Sequence, residues 1–115
     1  MNQEEYQNNI VEMANHYGYE SQSRQLIEEM AELTQAINKL WRHEQSVKSK
    51  DDYEMEEMLS ITDKNIEFLQ NIHSELADVE IMITQLKYLL NCNNEVEQEK
   101  ERKILRQLER MESEL

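Results

Sequence analysis

Two pairs of acidic residues in this chain have the same three-residue spacing. Glu29 and Glu32 form the first pair, and Glu75 and Asp78 form the second. On a helix, positions i and i+3 lie roughly 60° apart and one turn along the axis, so each pair can grip one ion from the same side. Four convergent carboxylates repel one another and need a cation, and clustered oxygen ligands suit Mg²⁺, with Mn²⁺ as an alternative. The spacing therefore predicts one metal site shared by two helices.

Each acidic residue of these pairs stands one position before an apolar residue of a helical seam. Because both pairs flank their seams in the same way, antiparallel packing of the two helices would bring the four carboxylates together at the edge of a core. The first seam consists of Leu26, Met30, Leu33, Ile37 and Leu40, and the second of Leu69, Ile72, Leu76, Val79, Ile83, Leu86 and Leu90.

An ordinary solvated acidic surface is the alternative for these pairs. The chain contains 25 acidic residues, so either motif occurs by chance roughly 0.7 times, and paired acids on exposed helix faces are common. Against this alternative, no Lys or Arg lies within four residues of Glu75 or Asp78. The base nearest to Glu32 on its own helix is Lys39, two turns away. The lack of local neutralising partners favours a metal.

The composition predicts an all-α protein. The 115 residues include no Pro and a single Gly, Gly18, and strand-favouring segments are absent. The length predicts one domain over residues 1–115, with a core small enough to need completion by oligomerisation. We expect an antiparallel bundle of four to five helices. Their predicted ranges are 3–16, 23–44, 52–60, 63–91 and 94–114, with a loop over 45–52, a cap at Ser21 or Ser23 and a new helix start at Thr62 or Asp63.

The net charge and the single cysteine limit the partners and the compartment. A formal net charge of −13 argues against nucleic-acid binding, because phosphate contacts need Lys and Arg. Cys92 has no partner for an internal disulfide, which fits a reducing compartment. No run of about 18 apolar residues exists, and the polar N-terminus is not a signal peptide. We therefore expect a cytoplasmic protein without a membrane span.

Basic and aromatic residues follow the first acidic pair along its helix. Lys39 and His43 share the face of Glu32 to within about 30°, roughly 10 to 17 Å further along the axis. That reach suits nucleotide phosphates, and the length of Arg42 can bring it to the same region. A basic helix end that complements the macrodipole is the alternative for these three residues. Trp41 is a candidate for base stacking, with core packing as its alternative.

At these residues the chain resembles the all-α NTP pyrophosphatase superfamily, which includes MazG-like proteins, dimeric dUTPases and phosphoribosyl-ATP pyrophosphohydrolases. The hallmark of that superfamily is EExxE on one helix and ExxD on a later one. The first motif corresponds to Glu28, Glu29 and Glu32, and the second to Glu75 and Asp78. The resemblance covers roughly residues 23–90. Residues 33–74, which separate the motifs, form a longer segment than is usual among MazG-like proteins.

The resemblance implies a Mg²⁺-dependent nucleotide pyrophosphohydrolase that forms a homodimer or homotetramer. Glu29, Glu32, Glu75 and Asp78 would bind the metal, and Glu28 would orient water or bind a further ion. The substrate would be a nucleoside triphosphate, cleaved between the α- and β-phosphates by a metal-activated water. Two other hypotheses stay open: a non-catalytic helical adaptor or oligomerisation module, and a nucleotide-binding regulator without turnover.

Overall fold

Long helices dominate the structure, as expected for a chain without proline and with a single glycine. The computed structural model describes residues 1–115 and contains three α-helices and no strand. They are α1 (Gln3–Lys48), α2 (Met55–Leu89) and α3 (Asn93–Ser113). The all-α prediction is confirmed. The prediction of four to five helices is not confirmed, because the boundary expected at residues 60–63 lies inside α2; the boundary expected near Gly18 is present as a kink within α1.

Gly18 breaks the helix within α1, so α1 consists of two helical segments joined by a kink at this residue. Its backbone has φ 84° and ψ 169°, a conformation that L-residues rarely adopt, inside an otherwise helical segment. The predicted caps at Ser21 and Ser23 are wrong, because both residues already lie within the helix. The Ser23 Oγ donates to the Glu20 carbonyl oxygen at 3.1 Å, a bond made inside a helical turn.

The connection between α1 and α2 is shorter than predicted. Helix α1 continues to Lys48, so only residues 49–54 are non-helical. No helix starts at Thr62 or Asp63, because Thr62 lies inside α2 and its hydroxyl donates to the Met58 carbonyl oxygen at 2.9 Å. Nothing in residues 55–63 breaks a helix, since this segment contains neither Gly nor Pro.

The predicted break at residues 91–94 is confirmed as the turn between α2 and α3. Asn91 has φ 51° and ends α2 in the left-handed conformation that asparagine tolerates. The Asn91 N–H donates to the Tyr88 carbonyl oxygen and the Cys92 N–H to that of Lys87, both at 3.0 Å. These two bonds form a Schellman motif, which satisfies carbonyl groups at the end of α2.

Helices α1 and α2 pack side by side in antiparallel orientation. The buried cluster between them consists of Leu26, Val79 and Met82, flanked by Leu33 and Leu86. Next to this cluster, the Gln22 Nε2 donates to the Gln85 Oε1 at 2.7 Å. Only 6% of Gln22 and 2% of Gln85 is exposed, so this amide pair is part of the core. It favours this lengthwise register of the two helices, because the buried Gln22 Nε2 and Gln85 Oε1 have no other hydrogen-bond partner.

The α1–α2 layer has two unlike flanks. Each residue advances 100° around its helix axis. Viewed along each helix from its N-terminus, the exposed apolar residues lie about 90° around the axis from the residues that face the other helix, and the direction of this rotation is the same for α1 and α2. An antiparallel pair has a pseudo-twofold axis perpendicular to its plane, so both sets lie on the same side. We call this side the apolar flank; it consists of Ile27, Met30, Ile37 and Trp41 of α1 and Leu69, Leu76 and Ile83 of α2.

The opposite side of the layer is the polar flank. It carries Glu28, Glu32 and Lys39 of α1 and Ser74 and Asp78 of α2, all displaced from the helix contact in the other rotational sense. Before Gly18, the first part of α1 packs against the end of α2, where the Tyr88 hydroxyl donates to the Asn15 Oδ1 at 3.1 Å.

Helix α3 leaves the layer almost without packing on it. It has no buried residue, and its apolar stripe is exposed. None of the three helices contains a stretch long and apolar enough to cross a lipid bilayer. The exposed stripe of α3 consists of Ile104, Leu105, Leu108, Met111 and the terminal Leu115.

Candidate metal centre

Three of the four predicted ligands lie together between α1 and α2. One carboxylate oxygen from each of Glu29, Glu75 and Asp78 lies within 4.8 Å of the others. All three side chains are partly buried. Glu29 and the second acidic pair therefore lie at one level of the layer, on helix faces that meet, and not on opposite sides of the bundle.

The antiparallel register produces this convergence. The Gln22–Gln85 bond and the Leu26–Met82 contact define the register of α1 and α2. In this antiparallel register, a residue further along α1 faces a residue that is earlier in α2 by the same number of positions. One turn beyond Leu26, that alignment places Glu29 at the level of Glu75 and Asp78. The buried apolar cluster of Leu26, Val79 and Met82 lies about one turn or less from these carboxylates along each helix.

Two of the clustered oxygens have no hydrogen-bond partner. The Glu29 Oε2 and the Glu75 Oε2 are both inaccessible to solvent and unpaired. The other oxygen of Glu29 accepts from the Gln25 Nε2 at 2.8 Å. A buried anionic oxygen without a donor costs free energy, and adjacent like charges add to that cost. A bound cation would pair with these two oxygens and offset the repulsion between the carboxylates.

No basic side chain supplies that cation. The ion pairs of the structure join Lys50 to Glu57, Lys87 and Lys100 to Glu97, and Arg102 to Glu99. All of them lie away from the three clustered carboxylates. The all-oxygen donor set and the orphaned oxygens fit a hard divalent cation such as Mg²⁺ or Mn²⁺ better than they fit a protein base.

Gln25 is a site residue that the sequence analysis missed. Its amide donates to Glu29 from one turn earlier on α1, and so orients that carboxylate. The signal was present in the sequence, because Gln and Glu at positions i and i+4 face each other on a helix.

Glu28 and Glu32 lie outside the three-carboxylate cluster. Both are exposed on the polar flank, beside Glu29 and one turn beyond it. Glu32 was expected to be the fourth metal ligand, and in this structure its carboxylate stands in solvent at the rim of the centre. Glu28 occupies a similar rim position.

Lys39 lines a cleft on the polar flank that begins next to the cluster. The cleft has a volume of about 480 Å³. Ser74 of its lining is adjacent to Glu75 in the sequence, and Asn71 lies one turn before Glu75. The cleft therefore combines the basic side chain of Lys39 with the hydrogen-bonding side chains of Asn71 and Ser74, which lie within about one turn of Glu75 on α2. The lining consists of Lys39, Glu67, Phe68, Gln70, Asn71 and Ser74.

The remaining predicted residues lie farther from the cluster. Arg42 is exposed, and its Nε donates to the Asn38 carbonyl oxygen at 3.3 Å. His43 packs its ring on Phe68, with centroids 5.3 Å apart, and its buried Nε2 has no hydrogen-bond partner. Trp41 is 59% exposed and belongs to the apolar flank. Core packing of Trp41 within this chain is therefore wrong, and stacking on a base held at the polar flank has no geometric support.

Comparison of the chain with protein-family models, with curated proteins and with solved structures gives no match. What the centre can do must therefore be inferred from its own geometry and chemistry.

Proposed function

We propose that this protein is a Mg²⁺-dependent nucleoside triphosphate pyrophosphohydrolase. The observation that carries the proposal is the convergence of Glu29, Glu75 and Asp78 with two orphaned, solvent-inaccessible carboxylate oxygens. The reaction adds water across the bond between the α- and β-phosphates of a ribo- or deoxyribonucleoside triphosphate. It releases the nucleoside monophosphate and pyrophosphate.

The three clustered carboxylates hold the ion in this proposal. Their negative charge attracts Mg²⁺, and the apolar cluster of Leu26 and Met82 beside them lowers the local dielectric constant, which strengthens the attraction. When bound, the ion would activate a water and offset charge on the phosphates. Glu32 remains a proposed fourth ligand, and Glu28 stands where it can orient a water at the rim.

The cleft at Lys39 receives the phosphates in this proposal. A triphosphate brings several negative charges to a strongly acidic chain, so its binding needs both a metal and a base. The Lys39 ammonium supplies the base, and the Ser74 hydroxyl and the Asn71 amide can donate to phosphate oxygens.

A pyrophosphate-release assay tests the proposal. The full-length protein is incubated with each of the common NTPs and dNTPs in Mg²⁺, beside the variants Glu75→Gln and Asp78→Asn. Both variants keep the shape of the side chain and remove its charge, so we expect turnover to fall more than about 100-fold. The matched control is Glu20→Gln, which changes an exposed glutamate of α1 outside the centre and should retain activity.

A thermal-shift titration with Mg²⁺ and nucleotide separates an inactive binder from a protein without a site. If the wild type releases no pyrophosphate and neither Mg²⁺ nor nucleotide raises its Tm, the enzyme proposal is wrong. A Tm increase that needs Asp78, without turnover of any nucleotide, would favour the nucleotide-binding regulator.

The exposed stripe of α3 supports a second candidate function, that of a non-catalytic helical adaptor. Four large apolar residues of that stripe, from Ile104 to Met111, are more than half exposed, and no residue of α3 is buried. In either function we propose that the chain works as a homodimer or homotetramer, because it buries too little of its own apolar surface.

A further inference from the structure

A second cleft, with a volume of about 520 Å³, lies where three helical segments meet. These segments are the part of α1 before the kink at Gly18, the end of α2 and the start of α3. We call it the junction cleft. Its lining contains one base, Lys87, and no acid, although 25 of the 115 residues of the chain are acidic. Most of the other lining residues carry a side-chain amide or a hydroxyl group, so the cleft is a polar and acid-free site on an acidic protein.

Lys87 has no close partner for its charge. Only 20% of its side chain is exposed, and its Nζ lies 3.9 Å from the Glu97 Oε1, which is beyond hydrogen-bond distance. That oxygen already accepts from the Lys100 Nζ at 3.1 Å. No acidic residue lies within four positions of Lys87 on α2. The ammonium group therefore keeps its capacity to donate to an anion in the cleft.

The uncharged side chains of the junction cleft suit a ligand with hydroxyl groups. Gln7, Asn91 and Asn93 are exposed, and each amide offers two N–H donors and one oxygen acceptor. The Tyr88 hydroxyl donates to the Asn15 Oδ1 at 3.1 Å, which leaves the N–H groups of that amide as donors. The lining contains one aliphatic residue, so an apolar ligand would gain little by binding there.

We propose that the junction cleft binds a small polyhydroxylated organic anion, of the class of sugar phosphates and sugar acids. The oxyanion pairs with Lys87, and the hydroxyl groups of the ligand form hydrogen bonds with the surrounding amides. The cleft volume of about 520 Å³ falls within the range of small-molecule sites, roughly 300–1,000 Å³. It is also larger than a bare phosphate ion needs.

The junction cleft is separate from the candidate metal centre. Lys87 follows Asp78 by nine residues on α2, which corresponds to roughly 14 Å along the helix axis. None of the three clustered carboxylates lines the cleft, so the ligand binds without Mg²⁺. The proposal therefore does not depend on the proposed enzyme activity, and the failure of either one leaves the other standing.

An NMR titration of the full-length protein in EDTA tests the proposal, with ribose-5-phosphate as the probe. We expect saturable binding with a Kd of about 1 mM or lower, and binding of ribose and of inorganic phosphate that is at least about tenfold weaker, because each lacks one part of the ligand. Gluconate carries a carboxylate in place of the phosphate. Whichever of the two probes binds more tightly identifies the anionic group that the cleft prefers.

Lys87→Met tests the charge, because it keeps the length of the side chain and removes the ammonium. We expect it to weaken the binding of ribose-5-phosphate at least about tenfold. The matched control is Lys64→Met, which changes an exposed lysine earlier on α2. It should leave the Kd unchanged to within about twofold.

The side-chain amides give a readout in the wild type, which stands even if Lys87→Met fails to fold. Ribose-5-phosphate should shift the NH₂ signals of the four amide residues of the cleft, Gln7, Asn15, Asn91 and Asn93. The amides of Gln70 and Asn71 line the Lys39 cleft and should not shift. The proposal is overturned if neither probe binds, if the shifts are confined to the Lys39 cleft, if ribose or inorganic phosphate binds equally well, or if Lys87→Met keeps the wild-type affinity.

Discussion

Glu29 of α1 and Glu75 of α2 each hold one carboxylate oxygen away from solvent without a hydrogen-bond partner, and together with Asp78 they offer ligand atoms within 4.8 Å of one another. This relationship joins two residues 46 positions apart in the sequence. It sets like charges against each other at the edge of the core, so the cluster is costly without a cation and favourable with one.

Neutralising one carboxylate should stabilise the metal-free protein. In EDTA we expect Glu75→Gln to raise the free energy of unfolding by about 1 kcal/mol, because it removes repulsion and supplies donors to the neighbouring oxygens. Saturating Mg²⁺ should then raise the Tm of the wild type and leave that of the variant nearly unchanged. Thermal denaturation at fixed chain concentration measures both. A variant that is less stable than the wild type in EDTA would contradict the strained cluster.

The Gln22–Gln85 pair should behave as one unit. We expect Gln22→Ala to cost about 1–3 kcal/mol, because it leaves the buried Gln85 Oε1 without a donor. Replacing both residues by Leu removes both polar groups and should cost much less than the sum of the single changes. Urea denaturation of the two single variants and the double variant gives the coupling energy. Additive effects would show that the hydrogen bond contributes little.

We expect glycine to be required at position 18 because of its backbone conformation, and not because a larger side chain would clash with neighbouring atoms. A Cβ at this position would meet nothing within 4 Å, yet a φ of 84° strains any L-residue. We expect Gly18→Ala to cost about 1–3 kcal/mol, and D-alanine in a synthetic chain to cost little, since its preferred φ is positive. Chemical denaturation compares the three proteins. Equal losses for both alanines would point to a steric effect instead.

The pair at the α1–α2 connection predicts a local pH response. The Lys50 Nζ donates to the Glu57 carboxylate at 2.6 Å and lowers the pKa of that carboxyl below its ordinary value. A folded-state pKa that is lowered contributes stability at neutral pH, and that stability is lost as the pH falls through the lowered value. NMR titration should show the Glu57 pKa rising toward its ordinary value in Lys50→Met. An unchanged pKa would mean that the pair does not persist in solution.

The all-α secondary structure and the acidic pairs could be predicted from the sequence, because both depend on residue types and their local spacing. The convergence of Glu29 with Glu75 and Asp78 followed from assuming antiparallel packing of two seams. Glu32 did not join them, since it lies roughly 60° from Glu29 around α1, on the side that turns away from α2. Which residue of such a pair faces the other helix depends on how α1 is rotated about its own axis, and the spacing of the pair alone does not reveal that rotation.

The choice between buried and exposed seams could not be made from spacing alone. Met30 and Ile37 belong to the same apolar pattern as Leu26 and Leu33, and yet the first two are exposed and the second two pack against α2. A helix that is apolar over a wide arc contacts two different neighbours, and the sequence does not say which arc the chain itself covers. The merging of the predicted helices 52–60 and 63–91 into α2 had a different cause, because polar residues without Gly or Pro do not mark a boundary.

The topology of the chain has a consequence for how fast it folds. A short connection at residues 49–54 joins α1 to α2. Pairing of the two helices can therefore start next to this connection, where the contacting residues are close in sequence, and extend toward the far ends. The chain has no proline, which removes the isomerisation step that delays refolding by tens of seconds in many proteins. Any slow refolding phase whose rate rises with protein concentration would therefore record association between chains and not a step within one chain.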